Sequence, residues 1–162
     1  MLPLEGIRVL DLTTLSGYCG MELADYGAEV IKVEAPGTGD PLRELAPLKD
    51  GASPHHTFRD RGKKSITLDL EKPEGKEIFK KLVATADAVI ENFPPGTMED
   101  LGLGYEELSA IKPSLVMDEL LRMVLSEKKP VHHRTLIAQA KSAVMHFTGF
   151  PENPPTEWIF HV

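Results

Sequence analysis

The sequence predicts a doubly wound α/β domain: a mainly parallel sheet flanked by helices, followed by a helical C-terminal segment. Three observations carry this. Apolar, β-branched runs of strand length recur at residues 7–12, 29–34, 65–70 and 88–93. Helical periodicity fills the intervals 20–26 and 73–83, and Gly or Pro marks the joins.

Taken in order, Ile7-Arg8-Val9-Leu10-Asp11-Leu12 reads as the first strand. Residues 20–26 read as a short helix whose Met21, Leu23 and Ala24 face a sheet, with Gly27 as a left-handed C-terminal cap. Glu29 to Glu34 is the second strand, and strand–helix–strand implies parallel neighbours. Residues 35–62 are rich in Pro, Gly and charge, a long excursion of the kind that carries function or irregular structure. The third strand is Ser65 to Leu70. Pro73 then opens a helix with Ile78, Phe79, Leu82 and Val83 on one face and Glu77 paired to Lys81. A fourth strand over 88–93 ends at Pro94-Pro95-Gly96, and short helices follow at 98–101 and 105–111.

Beyond Pro113 the reading divides. Ser114-Leu115-Val116 can start a fifth strand, but Asp118 to Lys129 has helical periodicity, and a further helix is expected over 135–147. The chain therefore divides into a Rossmann-like part at 1–116 and an atypical helical segment with a proline-rich tail at 117–162.

Composition bounds the function. Apolar residues make up 41% and charged residues 27%, ordinary for a soluble globular protein. One cysteine, Cys19, excludes an internal disulfide and suits a reducing compartment. No apolar run approaches the roughly 18 residues that span a bilayer, and the N-terminus has no secretory pattern, so a cytoplasmic protein without a membrane partner is expected. The net charge of −7 argues against broad nucleic-acid binding. Arg59, Arg61, Lys63 and Lys64 nonetheless cluster, and they read either as a solvated basic loop or as a seat for a polyanion.

Ligands of open α/β sheets collect beyond the carboxyl ends of the strands. Asn92 stands at such an end, where its amide can donate and accept, although Asn also commonly starts a turn. Asp11 is a possible acid or base, or more commonly a loop stabiliser. The sequence holds neither Gly-x-Gly-x-x-Gly nor Gly-Lys-Ser/Thr at the expected place, so NAD and ATP are poor candidates. The pairs His55-His56 and His132-His133 lack metal-site spacing to a cysteine, and no metal is expected. Cys19 reads as a small, near-buried residue rather than a nucleophile.

Ordered blocks then carry a resemblance. They are Leu4 to Thr13, Leu23 to Glu34 running on through Pro36-Gly37-Thr38-Gly39-Asp40-Pro41-Leu42-Arg43, Arg61 to Leu70 with Pro73-Glu74-Gly75, Ala86 to Phe93 with Pro95-Gly96, and Leu101 to Tyr105. Across residues 4–116 the chain resembles the class III (CaiB/BaiF, formyl-CoA transferase-like) CoA-transferases. A second match runs from Leu136 through Thr148-Gly149-Phe150-Pro151 to Pro154-Pro155-Thr156.

The resemblance implies that CoA, as acyl-CoA substrate, passes between carboxylic acids through an aspartyl-CoA thioester. It also implies CoA contacts at Leu15, Ser16, Lys63, Lys64, Leu68, Asn92, Phe93 and Leu101, with the lysines serving the phosphates. Departures are visible as well. The Thr13–Cys19 loop is about two residues shorter than usual and lacks the family's Gly-Pro. Asp100 stands where many relatives carry a phosphate-binding arginine, and 117–133 does not resemble the expected strand and Gly-rich turn. The family's catalytic aspartate follows the Pro-Pro-Thr element, whereas here Glu157 to Val162 contains none, so no residue is assigned as catalytic. The expectation is a truncated, CoA-binding member that forms a homo-oligomer or is completed by another chain. The alternative is a non-catalytic remnant or interaction subunit.

Overall fold

The computed structural model describes residues 1–120. These contain β1 (Arg8–Asp11), α1 (Tyr18–Asp25), β2 (Glu29–Glu34), α2 (Pro54–Arg59), β3 (Lys64–Thr67), α3 (Pro73–Val83), β4 (Ala88–Glu91), α4 (Thr97–Asp100), α5 (Tyr105–Ile111) and β5 (Val116–Glu119). A single turn of 3₁₀ helix spans Pro41–Glu44. The sheet runs β3-β2-β1-β4-β5, and every neighbouring pair is parallel. The order reverses between β1 and β4, so the crevice of this doubly wound sheet opens between the loops that follow those two strands.

The two faces of the sheet differ. One carries the main core, in which Leu10, Leu12, Val33 and Val89 pack on Phe79 and Val83 of α3, Met98 of α4 and Leu108 of α5. The opposite face has a small apolar patch of Val9, Val30 and Ile90 under Cys19, Leu23 and Ala24 of α1. Further along the same strands that face turns ionic, with buried Asp11, Lys32 and Glu34. Alternation along β2 requires this, because Val30, Lys32 and Glu34 must share one face.

Gly27 caps α1 as the sequence predicts: its φ is 101°, its N–H bonds the Ala24 carbonyl, and Ala28 N–H bonds Leu23. Three expectations need correction. Ile78 is 46% exposed while Phe79 and Val83 are fully buried, because position 78 lies about 100° around the helix from 79. Glu77 pairs with Lys80 at 3.7 Å rather than with Lys81. Asp118 and Glu119 do not begin a helix: they belong to β5, in register with Ile90 and Glu91. Pairing with a preformed strand outweighs the helical periodicity there. The remainder of that expected helix, from 121 to 129, and the one over 135–147 lie outside the described residues. No helix among the described residues is long and apolar enough to cross a membrane.

Candidate functional site

The loop after β1 is held from three sides, and each hold uses a different element. Asp11, at the end of β1, accepts from the Thr13 N–H at 2.8 Å and from the Thr13 hydroxyl at 2.6 Å. Asn92, one residue past β4, accepts from Thr14 N–H and donates to the Thr14 carbonyl, each at 2.8 Å. Asp40, beyond β2, accepts from Leu15 N–H at 3.1 Å and from Leu42 N–H at 2.8 Å. Leu15 sits in the left-handed region at φ 57°, a conformation that a branched side chain resists and that these contacts sustain.

Beneath the loop lies a buried ionic layer. Lys32 pairs with Asp40 at 2.8 Å and also reaches the Thr13 carbonyl. Lys63 pairs with Asp11 and with Asp60, both at 2.7 Å, and its side chain is 1% exposed. Burial alone would lift the Asp40 carboxyl, but the Lys32 ammonium and the Leu42 and Leu15 amides bring it below its ordinary value. Burial likewise pulls the Lys32 ammonium down, and Asp11, Asp40 and Asp60 together raise it above its ordinary value. Glu34 receives a two-pronged contact from Arg43, at 2.8 and 2.7 Å, with Ser65 and the Asp40 amide completing its shell. The guanidinium is the first cause that holds Glu34 at about 2.

Over this frame, at the carboxyl ends of β1 to β4, opens a cavity of about 470 Å³. That volume falls in the range of small-molecule and cofactor sites. Its apolar walls are Leu12, Val33, Leu68, Leu70, Phe93 and Leu101, continuous with the main core. Its rim is polar, with Thr14, Thr97, Asp69 and Glu71, and the buried Thr13 also lines it.

Of the residues singled out in the sequence, Leu68, Phe93 and Leu101 line this cavity. Asn92 does not; both ends of its amide are engaged by Thr14, so it positions the loop. Leu15 and Ser16 lie just beyond the lining, with Leu15 40% exposed. Both lysines lie outside the cavity lining. Lys63 is sealed between two carboxylates, and its charge is already met. Lys64 starts β3, at the opposite end of the sheet from the cavity, and pairs with Glu29 at 2.5 Å.

Asp11 takes the loop-stabilising of its two readings. The Cys19 thiol is raised, first by burial and then by Asp118 and Asp11, which disfavours a thiolate. No group of side chains among the described residues has the makings of a metal site. Sequence reasoning missed Lys32, Asp40 and Arg59 as fixers of the loop. For Lys32 a signal existed: a charged residue at an inward position of a strand needs a buried partner.

Comparison with known proteins agrees with this geometry. The model of CoA-transferase family III matches residues 4–162, and the chain belongs to that family. Among curated relatives, the succinyl-CoA–D-citramalate CoA-transferase of Chloroflexus aurantiacus is 45% identical over 95% of this chain and 39% of its own length. The succinyl-CoA:glutarate CoA-transferase of Mus musculus is 40% identical over 96% of this chain and 36% of its own. The acetyl-CoA:oxalate CoA-transferase of Acetobacter aceti is 41% identical over 95% and 40%. The chain thus spans about two fifths of the length of these relatives. Among solved structures, a CaiB/BaiF family protein from Brucella suis superposes with a TM-score of 0.89 at 34% identity, over 97% of this chain and 43% of that one.

Proposed function

We propose that this chain supplies the CoA-binding part of a transferase that moves CoA from an acyl-CoA to a dicarboxylic acid. One observation carries the reading: an apolar cavity sits at the switch point of a parallel sheet, beneath a loop pinned by Asp11, Asn92 and Asp40. Leu68, Phe93 and Leu101 contact CoA within it, and Leu15 and Ser16 contact CoA at its edge. The three relatives above are named for citramalate, glutarate and oxalate, all dicarboxylates, and this supports the acceptor class.

In the reaction a carboxylate attacks the thioester carbonyl and CoA thiolate leaves, giving a mixed anhydride. The thiolate then attacks the anhydride at the enzyme carboxyl, releasing the donor acid and leaving an aspartyl-CoA thioester. The acceptor acid repeats the two steps in reverse. The attacking aspartate is the one the family resemblance places after the Pro-Pro-Thr element, and the chain acts paired with a second polypeptide. Relatives named as α and β subunits of a succinyl-CoA–L-malate CoA-transferase support such a pairing. Residues 1–116 form the CoA-binding part of a cytoplasmic protein.

Calorimetry with CoA tests the first half; no heat at millimolar CoA rejects it. Mass spectrometry of chain plus partner after acyl-CoA treatment tests the second, by the mass of a covalent CoA adduct. A non-catalytic interaction subunit is the other reading. Glu71 and Asp69 on the rim favour it, since they oppose CoA phosphates.

A further inference from the structure

Of the four cations between 59 and 64, three are paired with carboxylates: Arg61 with Asp25, Lys63 with Asp11 and Asp60, Lys64 with Glu29. Arg59 is the exception. It is 2% exposed, and among the described residues no carboxylate pairs with it. Its Nη1 donates to the Leu15 carbonyl at 3.2 Å, and its Cζ lies 4.9 Å from the centre of the Tyr18 ring. A buried guanidinium without a counter-charge is costly, and its planar fork matches a carboxylate.

The place where it sits strengthens the point. Tyr18 is the first residue of α1, an eight-residue helix whose N-cap, Gly17, offers no side chain and whose first turn carries no acid. The amides of that turn therefore lack a side-chain acceptor, and the helix dipole adds positive potential. Gly17 packs directly on Arg59: a Cβ there would meet the Arg59 Cβ and carbonyl at 3.1 Å. The ionic layer below contains Asp11, Asp40 and Asp60 against Lys32 and Lys63, so Arg59 could serve merely to balance it.

We infer that Arg59 and the first turn of α1 form a carboxylate seat, which takes the non-reacting carboxylate of the dicarboxylic acid. The location follows from the geometry, while the identity of the ligand rests on the function proposed above. CoA then lies on the Leu12–Thr14 side of the loop after β1 and reaches its edge at Leu15 and Ser16, while the acid lies against Arg59 and Tyr18. A diacid gains a charge-assisted, two-pronged contact that a monoacid has no second carboxylate to make.

The full chain, titrated with glutarate and separately with butyrate, tests this by NMR at the Tyr18–Gly20 amides and the Arg59 Nε–H. Glutarate is expected to shift these signals saturably in the millimolar range, with butyrate at least about tenfold weaker. Arg59→Met is expected to abolish the difference. Equal responses to the two acids, or an unchanged glutarate response in the variant, would overturn the seat and leave Arg59 a charge balancer. Should Arg59→Met fail to fold, Arg59→Lys decides, because it keeps the charge and loses the fork: glutarate binding at full strength would overturn the proposal. CoA in the same sample is followed at Leu68 and Leu101. A glutarate response without a CoA response rejects the proposed function and keeps the seat; the reverse rejects the seat alone.

Discussion

Asn92 grips Thr14 by both of its backbone polar groups, accepting from the N–H and donating to the carbonyl, each at 2.8 Å. This two-bond clasp spans the switch point and ties the end of β4 to the loop after β1. Asn92→Asp keeps the shape but loses the donor and sets a carboxylate against a carbonyl. We expect a stability loss of about 1 kcal/mol, because the site is half-buried, and a larger fractional loss of CoA affinity. Thermal unfolding and calorimetry measure the two; undiminished affinity would show that the clasp does not shape the cavity.

Gly20 offers a sign reversal. In an exposed helix Gly→Ala gains about 1 kcal/mol. Here an added Cβ would stand 2.3 Å from Asp11 Oδ2 and 3.0 Å from Lys63 Nζ. Breaking a buried pair costs about 3–5 kcal/mol, so Gly20→Ala should be strongly destabilising in urea. A neutral result would mean that the ionic layer yields freely.

Two adjacent lysines should behave oppositely. Lys63→Met strands Asp11 and Asp60 and should cost about 3–5 kcal/mol. Lys64→Met, whose side chain is 69% exposed, should stay within about 0.5 kcal/mol. Chemical denaturation of both variants separates a structural role from a shared electrostatic one.

Acid stability should follow Glu34. Its carboxyl is lowered from 4.5 to about 2, so its contribution is complete above pH 4.5 and fades as pH falls toward 2. Glu34→Gln should flatten that limb of the stability profile. Glu91 has the opposite sign: burial raises it, and Glu119, Glu99 and Asp118 raise it further. Its charge therefore opposes folding at neutral pH, and the opposition is relieved as pH falls through the raised value. Glu91→Gln should raise the melting temperature at pH 7, since an amide oxygen can still accept from Phe93 N–H. A lower melting temperature would contradict this.

Gly75 is held by backbone alone. A Cβ there would lie 1.9 Å from the Asp69 carbonyl oxygen, which has no flexible end to swing aside. Gly75→Ala should therefore shift the Asp69–Glu71 rim of the cavity and lower both stability and CoA affinity, checked by the same two measurements.

The strands were legible because alternation and β-branching act locally: four of the five are read within a few residues, and Gly27 announces its own turn. The fifth is half legible: Ser114 to Val116 can open a strand, but Asp118 and Glu119 read as helix and become strand only by lying beside Ile90 and Glu91. Leu68, Phe93 and Leu101, named through family resemblance, share one cavity wall. The ion pairs of the lysines are not legible, because sequence shows a charge but not its partner. Lys63 meets Asp11, which is 52 positions away, and that encounter exists only in three dimensions.

The contrast between the sheet's two faces gives the domain two thermometers. The side under α3 and α5 is apolar, so its cohesion varies with temperature and is nearly blind to protons. The opposite face turns ionic beyond the apolar patch under α1, and acid acts on that stretch first. Strong acid, well below pH 4.5, should thus slacken the ligand-end loops while the apolar side holds the strands together, making loosening of the loops separable from unfolding.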